Sequence, residues 1–390
     1  MSRSKHNAQI DLRDSNILLT LSGSRAYGLH TEQSDVDLKG VAIPPVACLL
    51  GAVSSFEQAD SAAEMAVYRD KLTHEERSVA ARTKLEGSVY DLRKFVRLAA
   101  EANPGSLEAL FCRDQEVRIC TPLGERLREH RDLFLSARAK HTFSGYAAGQ
   151  LKRIRTHRRW LLEPSKAKPT RAQYDLPETT LIPGQQLAAL QAEIRRQIDS
   201  WAIDFGGLPA SEKIRISEHI SHILAERQIA ADETWRAAAR VIGMEENFIA
   251  LMERERRYGA AMQDWDAYRA WRTHRNPERA ALEAKHGYDT KHASHLYRLL
   301  KMCREVLDEG RLHVWRGDID ADEIRAIRAG RWSYDQLVEW AEAENRALDE
   351  RYRQGAYRVP REPDLGAIDE LCIDLIRDFH QFAGDGRSKR

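Results

Sequence analysis

Hydrophobic positions along the chain follow two different periods. Between residues 16 and about 115 they come as short runs: Ile17-Leu18-Leu19-Thr20-Leu21, then Val36 to Ile43 stopped by Pro44-Pro45, then Lys84 to Tyr90. Runs of this length, bounded by Gly, Ser and Pro, predict strands. Asp91 then stands as an N-cap before "LRKFVRLAAEA", where Leu92, Phe95, Val96 and Ala99 recur at helical spacing. Asn103-Pro104-Gly105 stops that helix, and "SLEALF" begins another. From about residue 120 the pattern changes to long, charged, amphipathic helices. "SGYAAGQLKRIRTHRRWLLE" is the first, and a loop from Pro164 to Pro183 follows it. Further helices are expected near 184–203, 210–228, 231–256 and 289–309, then at "DADEIRAIRAG", "SYDQLVEWAEAENRALDERYRQ" and Asp369 to Phe382. No repeat of fixed period is present. The pattern predicts an α+β protein, with a mixed α/β domain over residues 1–118 and a larger all-α domain over 119–390.

A chain of 390 residues is long enough for two domains and a sizeable core. Its 42% hydrophobic and 31% charged content fits a soluble globular protein. Net charge is +1, so any affinity for nucleic acid or an anionic membrane must come from local patches. The five cysteines (Cys48, Cys112, Cys120, Cys303, Cys372) are scattered and form no CxxC, which argues against a disulfide framework and against a zinc site. The N-terminal stretch "SRSKHNAQIDLRDSN" is polar and shows no signal peptide. The longest apolar stretch, Val41 to Val53, contains two prolines and falls short of the roughly 20 residues of a membrane span. A reducing cytoplasm is the expected home.

The stretch "LSGSRAYGLHTEQSDVDLKGV", residues 21–41, concentrates the candidate chemistry. Side chains i and i+2 of a strand share a face, so Asp35 and Asp37 project together while Val36 turns into the core. Two close carboxylates repel unless a cation lies between them, and Mg²⁺ takes one or two carboxylates plus phosphate oxygens. Gly23-Ser24 at the end of the preceding strand lets backbone approach a ligand closely, Ser24 adds a hydroxyl, and Arg25 adds charge. Alone, the Gly-Ser pair reads as an ordinary turn, and the Asp-Val-Asp as a solvated strand start. Together, at strand ends and at this spacing, they are specific.

Gly23-Ser24, with residues 25–34 intervening before Asp35-Val36-Asp37-Leu38, resembles the signature of the DNA polymerase β-like nucleotidyltransferase superfamily. Ser22 departs from it in a minor way, since many members carry an apolar residue there. The longer text "GSRAYGLHTEQSDVDLKGV" resembles the branch of bacterial and phage nucleotidyltransferases associated with RNA-repair gene clusters. "YDLRKFVRLAAEANPGSLEALF" and "YDTKHASHLYRLLKMCREVLDEGRL" resemble later blocks of that branch, whereas about 160–285 is much less recognisable. The resemblance implies a polymerase β-like catalytic domain followed by a helical substrate domain, and two-metal phosphoryl chemistry with two Mg²⁺ ions or with Mn²⁺. Asp35 and Asp37 would bind both ions, and a third carboxylate on a neighbouring strand would complete the site. Glu86 and Asp91 are the candidates for it; Asp91 doubles as a helix cap, and Glu86 is preferred. Gly23, Ser24, Arg25 and Ser34 would hold the nucleoside triphosphate. The implied reaction moves a nucleoside monophosphate to an acceptor hydroxyl and releases pyrophosphate, with an RNA or tRNA 3′-end as the expected acceptor. The rival readings are transfer of AMP to a protein and a non-catalytic nucleotide-binding regulator. Intact Asp35, Asp37 and Glu86 speak against the regulator.

Two further stretches carry readings of both kinds. In "YDTKHASHLYRLLKMC", Lys291, His295 and Arg298 form a polar row beside the apolar stripe of Leu296, Leu299, Leu300 and Cys303. This is either a solvated face or a helix closing over the site, with Lys291 or Arg298 reaching the triphosphate. His292 and His295 could suggest a metal, but no carboxylate or cysteine partners them, so no metal site is expected there. "GQLKRIRTHRRWLLE" carries Lys152, Arg153, Arg155, Arg158 and Arg159 with His157 and Trp160. It is either a solvated face or a binding face for a nucleic-acid backbone with Trp160 as a stacking platform. Asn103-Pro104 reads as a helix stop, and Trp332 and Tyr334 as packing residues.

Overall fold

The computed structural model describes residues 6–8, 10–164, 167–200 and 228–386. The helix expected over 210–228 lies outside the described residues except for its last position. The chain divides into two compact units, one of residues 1–162 with 277–390 and one of residues 163–276.

The first unit is built on strands β1 (His6–Asn7), β2 (Asn16–Ser22), β3 (Val36–Ala42), β4 (Ser54–Ser55), β5 (Gln58–Ala59), β6 (Leu85–Asp91) and β7 (Val117–Cys120). β1 and β4 form a small parallel pair. The other five make one mixed sheet in the order β5-β6-β3-β2-β7. β2 runs antiparallel to both β3 and β7, while β3 runs parallel to β6. Ile17, Leu18 and Leu19 are at most 1% exposed, because β2 lies inside the sheet and both its faces are covered. β3 alternates instead: Val36 and Leu38 are buried, Asp37 and Lys39 only half-buried. One face of β3 therefore belongs to the core and the other faces a polar space.

The helices of eight residues or more among the described residues are α1 (His74–Arg82), α2 (Leu92–Ala100), α3 (Pro104–Phe111), α4 (Pro122–Glu129), α5 (Ala139–Leu162), α6 (Gly184–Ser200), α7 (Gln228–Val241), α8 (Glu246–His274), α9 (Pro277–His286), α10 (Thr290–Glu309), α11 (Ala321–Arg328), α12 (Tyr334–Gln354) and α13 (Leu365–Gly386). One face of the sheet packs Leu19, Leu21, Val36 and Leu38 against Phe56, Met65 and Tyr68. The other joins Ile17 and Leu18 to Phe95 of α2, Leu107 and Leu110 of α3, Phe143 and Ile154 of α5, and Leu296, Leu299 and Leu300 of α10. Helices that follow the sheet in the chain thus share a core with it. In the second unit, Ile194 of α6, Trp235 and Ala238 of α7, and Ile249 and Met252 of α8 form a separate small core.

Two local features depart from the pattern. The helix expected over 231–256 is two helices, broken at Gly243, whose φ is +84°. A glycine in that left-handed conformation ends α7, which apolar periodicity alone cannot show. β7 was not foreseen, because four residues with Arg118 among them give too weak an alternation to register. Among the described residues no helix is long and apolar enough to cross a membrane.

The C-terminal part braces the turn after β2. The Arg316 backbone N–H donates to the Tyr27 carbonyl at 3.0 Å. An Arg325 guanidinium N–H donates to the Gly28 carbonyl at 2.9 Å. Arg316 itself is fully buried between Glu305 and Asp320.

Candidate active site

β2 ends at Ser22, and the chain turns at once into a single helical turn, Gly23–Ala26. Gly23 makes that corner with φ +62°, a conformation that an L side chain rarely adopts. Ser22 pairs with Asp37 across β2 and β3, and Asp37 pairs with Glu86 across β3 and β6. The corner, Asp37 and Glu86 are therefore on three adjacent strands at the same level. Asp35 lies just before β3, and its Oδ1 accepts the Lys84 backbone N–H at 3.2 Å. Lys84 Nζ is 3.4 Å from Glu86 Oε1. Asp35 and Glu86 are exposed, whereas Asp37 is half-buried.

The electrostatics of Asp37 follow from this grouping. The Asp37 carboxyl is pushed up to about 6, first by burial and then by the negative charges of Asp35 and Glu86; Lys291 and Arg25 pull the other way. A half-buried carboxylate flanked by two further negative charges fits a divalent cation, whose charge offsets the repulsion. The donor set is all oxygen, which suits Mg²⁺ or Mn²⁺.

Arg25 is 6% exposed, and among the described residues its guanidinium makes no hydrogen bond or ion pair; its Nε is buried without a partner. An unpaired buried guanidinium beside a Gly-Ser corner is costly unless an anion arrives. Ser34 closes a loop turn, its Oγ accepting the Thr31 N–H at 2.9 Å.

The predicted row on α10 runs from solvent into the core. Lys291 is exposed and acts on Asp37. His295 is half-buried, and burial, followed by Arg298, His292, Arg153 and Lys291, drives its pKa down to about 3. Arg298 is 4% exposed; it bonds Glu108 and lies 3.7 Å from the Tyr27 ring centre. Tyr27 in turn donates to Glu108 at 2.6 Å. The expectation that Arg298 reaches the triphosphate meets a guanidinium already committed to a buried carboxylate and a ring. It ties α10 to α3 and to the turn after Gly23. The stripe Leu296, Leu299, Leu300 and Cys303 is buried as its spacing predicts.

Asp91 caps α2, accepting the Arg93 backbone N–H at 2.8 Å and pairing with the Arg93 side chain. It is 3% exposed and fully occupied there, while Glu86 is the residue opposite Asp37. On α5, Lys152, Arg153, Arg155 and Arg159 are exposed and Arg158 is half-buried. Arg155 pairs with Glu342 at 2.7 Å. Arg158 donates to the Gly287 carbonyl at 2.8 Å and covers the Tyr334 ring. Lys152 and Arg153 make no ion pair among the described residues. Trp160 is 7% exposed and stacks on His157, so it is not an open platform for a base. Glu108 and Tyr27, which position α10, were not singled out by sequence; only their proximity in the fold reveals the pair.

A mixed sheet that carries acidic residues on two paired strands, opposite a Gly-Ser helical turn, is the arrangement of a polymerase β-like nucleotidyltransferase domain. Residues 2–168 match the family model described as the RNA repair pathway DNA polymerase beta family, the polymerase β-like branch that the sequence resembles. No curated protein and no solved structure matches the chain.

Proposed function

We propose that the chain transfers a nucleoside monophosphate from a nucleoside triphosphate to a hydroxyl of RNA, with a tRNA 3′-end as the acceptor class and pyrophosphate as the leaving product. The observation that carries this reading is the meeting of Asp35, Asp37 and Glu86 with the Gly23–Ser24 corner and the unpartnered Arg25. The RNA acceptor rests on the description of the matching family.

Asp35, Asp37 and Glu86 would hold Mg²⁺, which supplies positive charge against the carboxylates and the reacting phosphate. The Gly23 corner brings backbone close to the β- and γ-phosphates, and the Ser24 hydroxyl donates to them. Arg25 offsets their charge from within the fold, and Lys291 does so from α10. Glu86 is exposed and stands opposite Asp37, and its carboxylate would take the proton of the attacking hydroxyl. The cytoplasm is one compartment where triphosphates and RNA meet and is the location we propose.

The test is incubation of the purified chain with each α-labelled triphosphate in turn, with total RNA and with protein lysate. Label in RNA that is lost in the Asp37→Asn chain supports the reading. Label confined to protein makes the chain a protein-modifying enzyme. No label in any macromolecule, with a folded chain and Mg²⁺ or Mn²⁺ present, overturns transfer altogether.

A further inference from the structure

A second cluster of ligand-type side chains lies apart from the three carboxylates. His157 comes from α5, Asp289 caps α10, and His292 belongs to the first turn of α10. One ligand atom of each lies within 4.8 Å of the others. The sequence gives His292 no visible carboxylate partner; the fold supplies Asp289, together with a second imidazole from α5.

The spacing is informative. His157 Nδ1 is 3.6 Å and His292 Nε2 is 3.7 Å from one and the same oxygen, Asp289 Oδ2. Direct hydrogen bonds of this kind close to about 2.7–3.2 Å. Two ligands on a tetrahedral ion with bonds of about 2.0–2.1 Å stand about 3.4 Å apart. The gaps are nearer to those around an ion than to those of direct contacts. The Asp289 side chain is fully buried, and those of His157 and His292 are 18% and 16% exposed.

The surroundings fit the partners that orient metal ligands. Arg279 donates from Nε to Asp289 Oδ2 at 2.9 Å and from a terminal N–H to the same oxygen, and Glu283, itself 4% exposed, lies 3.7 Å from that Nε. Arg279 thus faces two carboxylates, Asp289 and Glu283, and its single positive charge does not balance both. The His157 ring is stacked on Trp160 at 5.6 Å, which fixes its plane. Partners of this kind hold ligands in place around an ion. Arg153, which also acts on His292, is exposed to solvent.

We propose that His157, Asp289 and His292 bind one transition-metal dication, Zn²⁺ by their donor set. Two imidazoles and a carboxylate select it over Mg²⁺, which prefers oxygen. The ion ties α5 to the start of α10, next to Lys291, and its fourth position is open to water or a substrate atom. It is distinct from any ion held by Asp35, Asp37 and Glu86.

The test uses the full chain, stripped with chelator and dialysed into metal-free buffer. Zn²⁺ is titrated in by calorimetry, and Co²⁺ is titrated in with its visible spectrum recorded. Both are repeated in an Asp35→Ala chain, so that the carboxylate site cannot supply the signal. The expected result is one Zn²⁺ per chain in both proteins, with intense four- or five-coordinate Co²⁺ bands. His157→Asn or His292→Asn should weaken binding by at least about 100-fold, beyond the range typical of residues that only orient a ligand. Absence of stoichiometric binding overturns the site, leaving Asp289 as a cap and an anchor for Arg279. So does a weak, octahedral Co²⁺ spectrum, or undiminished affinity in both folded Asn variants. If either variant fails to fold, the spectrum of the unaltered chain decides. Loss of binding only in the Asp35→Ala chain would assign the ion to the carboxylates and also overturn the site.

Discussion

A Cβ placed on Gly23 would stand 2.4 Å from Oδ2 of Asp37. The corner after β2 and the central carboxylate of β3 are in contact, and each limits what the other can be. Gly23→Ala adds both that collision and a strained φ of +62°. The strain alone costs about 1–2 kcal/mol. The end of the Asp37 side chain can yield, but only by leaving its place beside Asp35 and Glu86. Gly23→Ala should therefore fold with a modest loss in denaturant midpoint and lose transfer by orders of magnitude. Near-normal turnover in this variant would show that the position of Asp37 does not matter to the reaction.

Asp37 sets a pH dependence with a definite sign. Its folded pKa is about 6 against an ordinary 3.8, so the folded chain keeps a proton that the unfolded chain has lost. Without divalent cations, stability should fall as pH rises from about 4 to 6 and level off above that. Asp37→Asn should be flat across this window. It should also be more stable than the unaltered chain at pH 7 by up to about 3 kcal/mol. Mg²⁺ should stabilise the unaltered chain and not the variant. Denaturant midpoints at several pH values in chelator and in Mg²⁺ test all three expectations, and a variant less stable at pH 7 contradicts the account.

Glu86 and Asp91 separate by opposite outcomes. Glu86 is exposed, so Glu86→Gln should keep its thermal midpoint and its affinity for triphosphate while losing turnover. Asp91 is buried as a cap, so Asp91→Ala should lose about 0.5–2 kcal/mol or more of stability and keep most activity per folded molecule. The reverse pattern would exchange their roles.

Lys291 and Arg298 should differ in the same way. Arg298→Ala leaves the Glu108 carboxylate buried without its partner, a loss of about 3–5 kcal/mol. Lys291→Ala removes an exposed side chain and should change stability by no more than about 0.5 kcal/mol. Its effect should be a raised KM for triphosphate. Urea denaturation and steady-state kinetics on both variants suffice, and a stable Arg298→Ala chain would refute the structural role of this guanidinium.

RNA held along α5 should show its salt dependence. Each phosphate contact on a single strand contributes a log–log slope of about −0.7. Lys152 and Arg153 are exposed and make no ion pair among the described residues, so reversing both to Glu should flatten the slope by about 1.4. Reversing Arg155 should do less, since Glu342 already neutralises it. A slope unchanged by the double reversal returns this helix to a solvated face.

The sequence by itself determined the elements whose signal is local. β2 and β3 were legible because runs of β-formers end in Gly-Ser and Pro-Pro. The shared face of Asp35 and Asp37 follows from the two-residue period of any strand, and the buried stripe of α10 follows from helical spacing. The cap at Asp91 needs only its neighbours. Tertiary structure decided everything that depends on which elements meet. That Glu86 stands opposite Asp37 is a matter of register between β3 and β6, which about 50 residues of chain separate. That Arg298 is consumed by Glu108, 190 positions away, turns a predicted ligand contact into a tie between helices. That His292 meets a second imidazole depends on the packing of α5 along α10. Local periodicity specifies the face on which a side chain lies; the charge of its neighbour is fixed only when another part of the chain folds against that face.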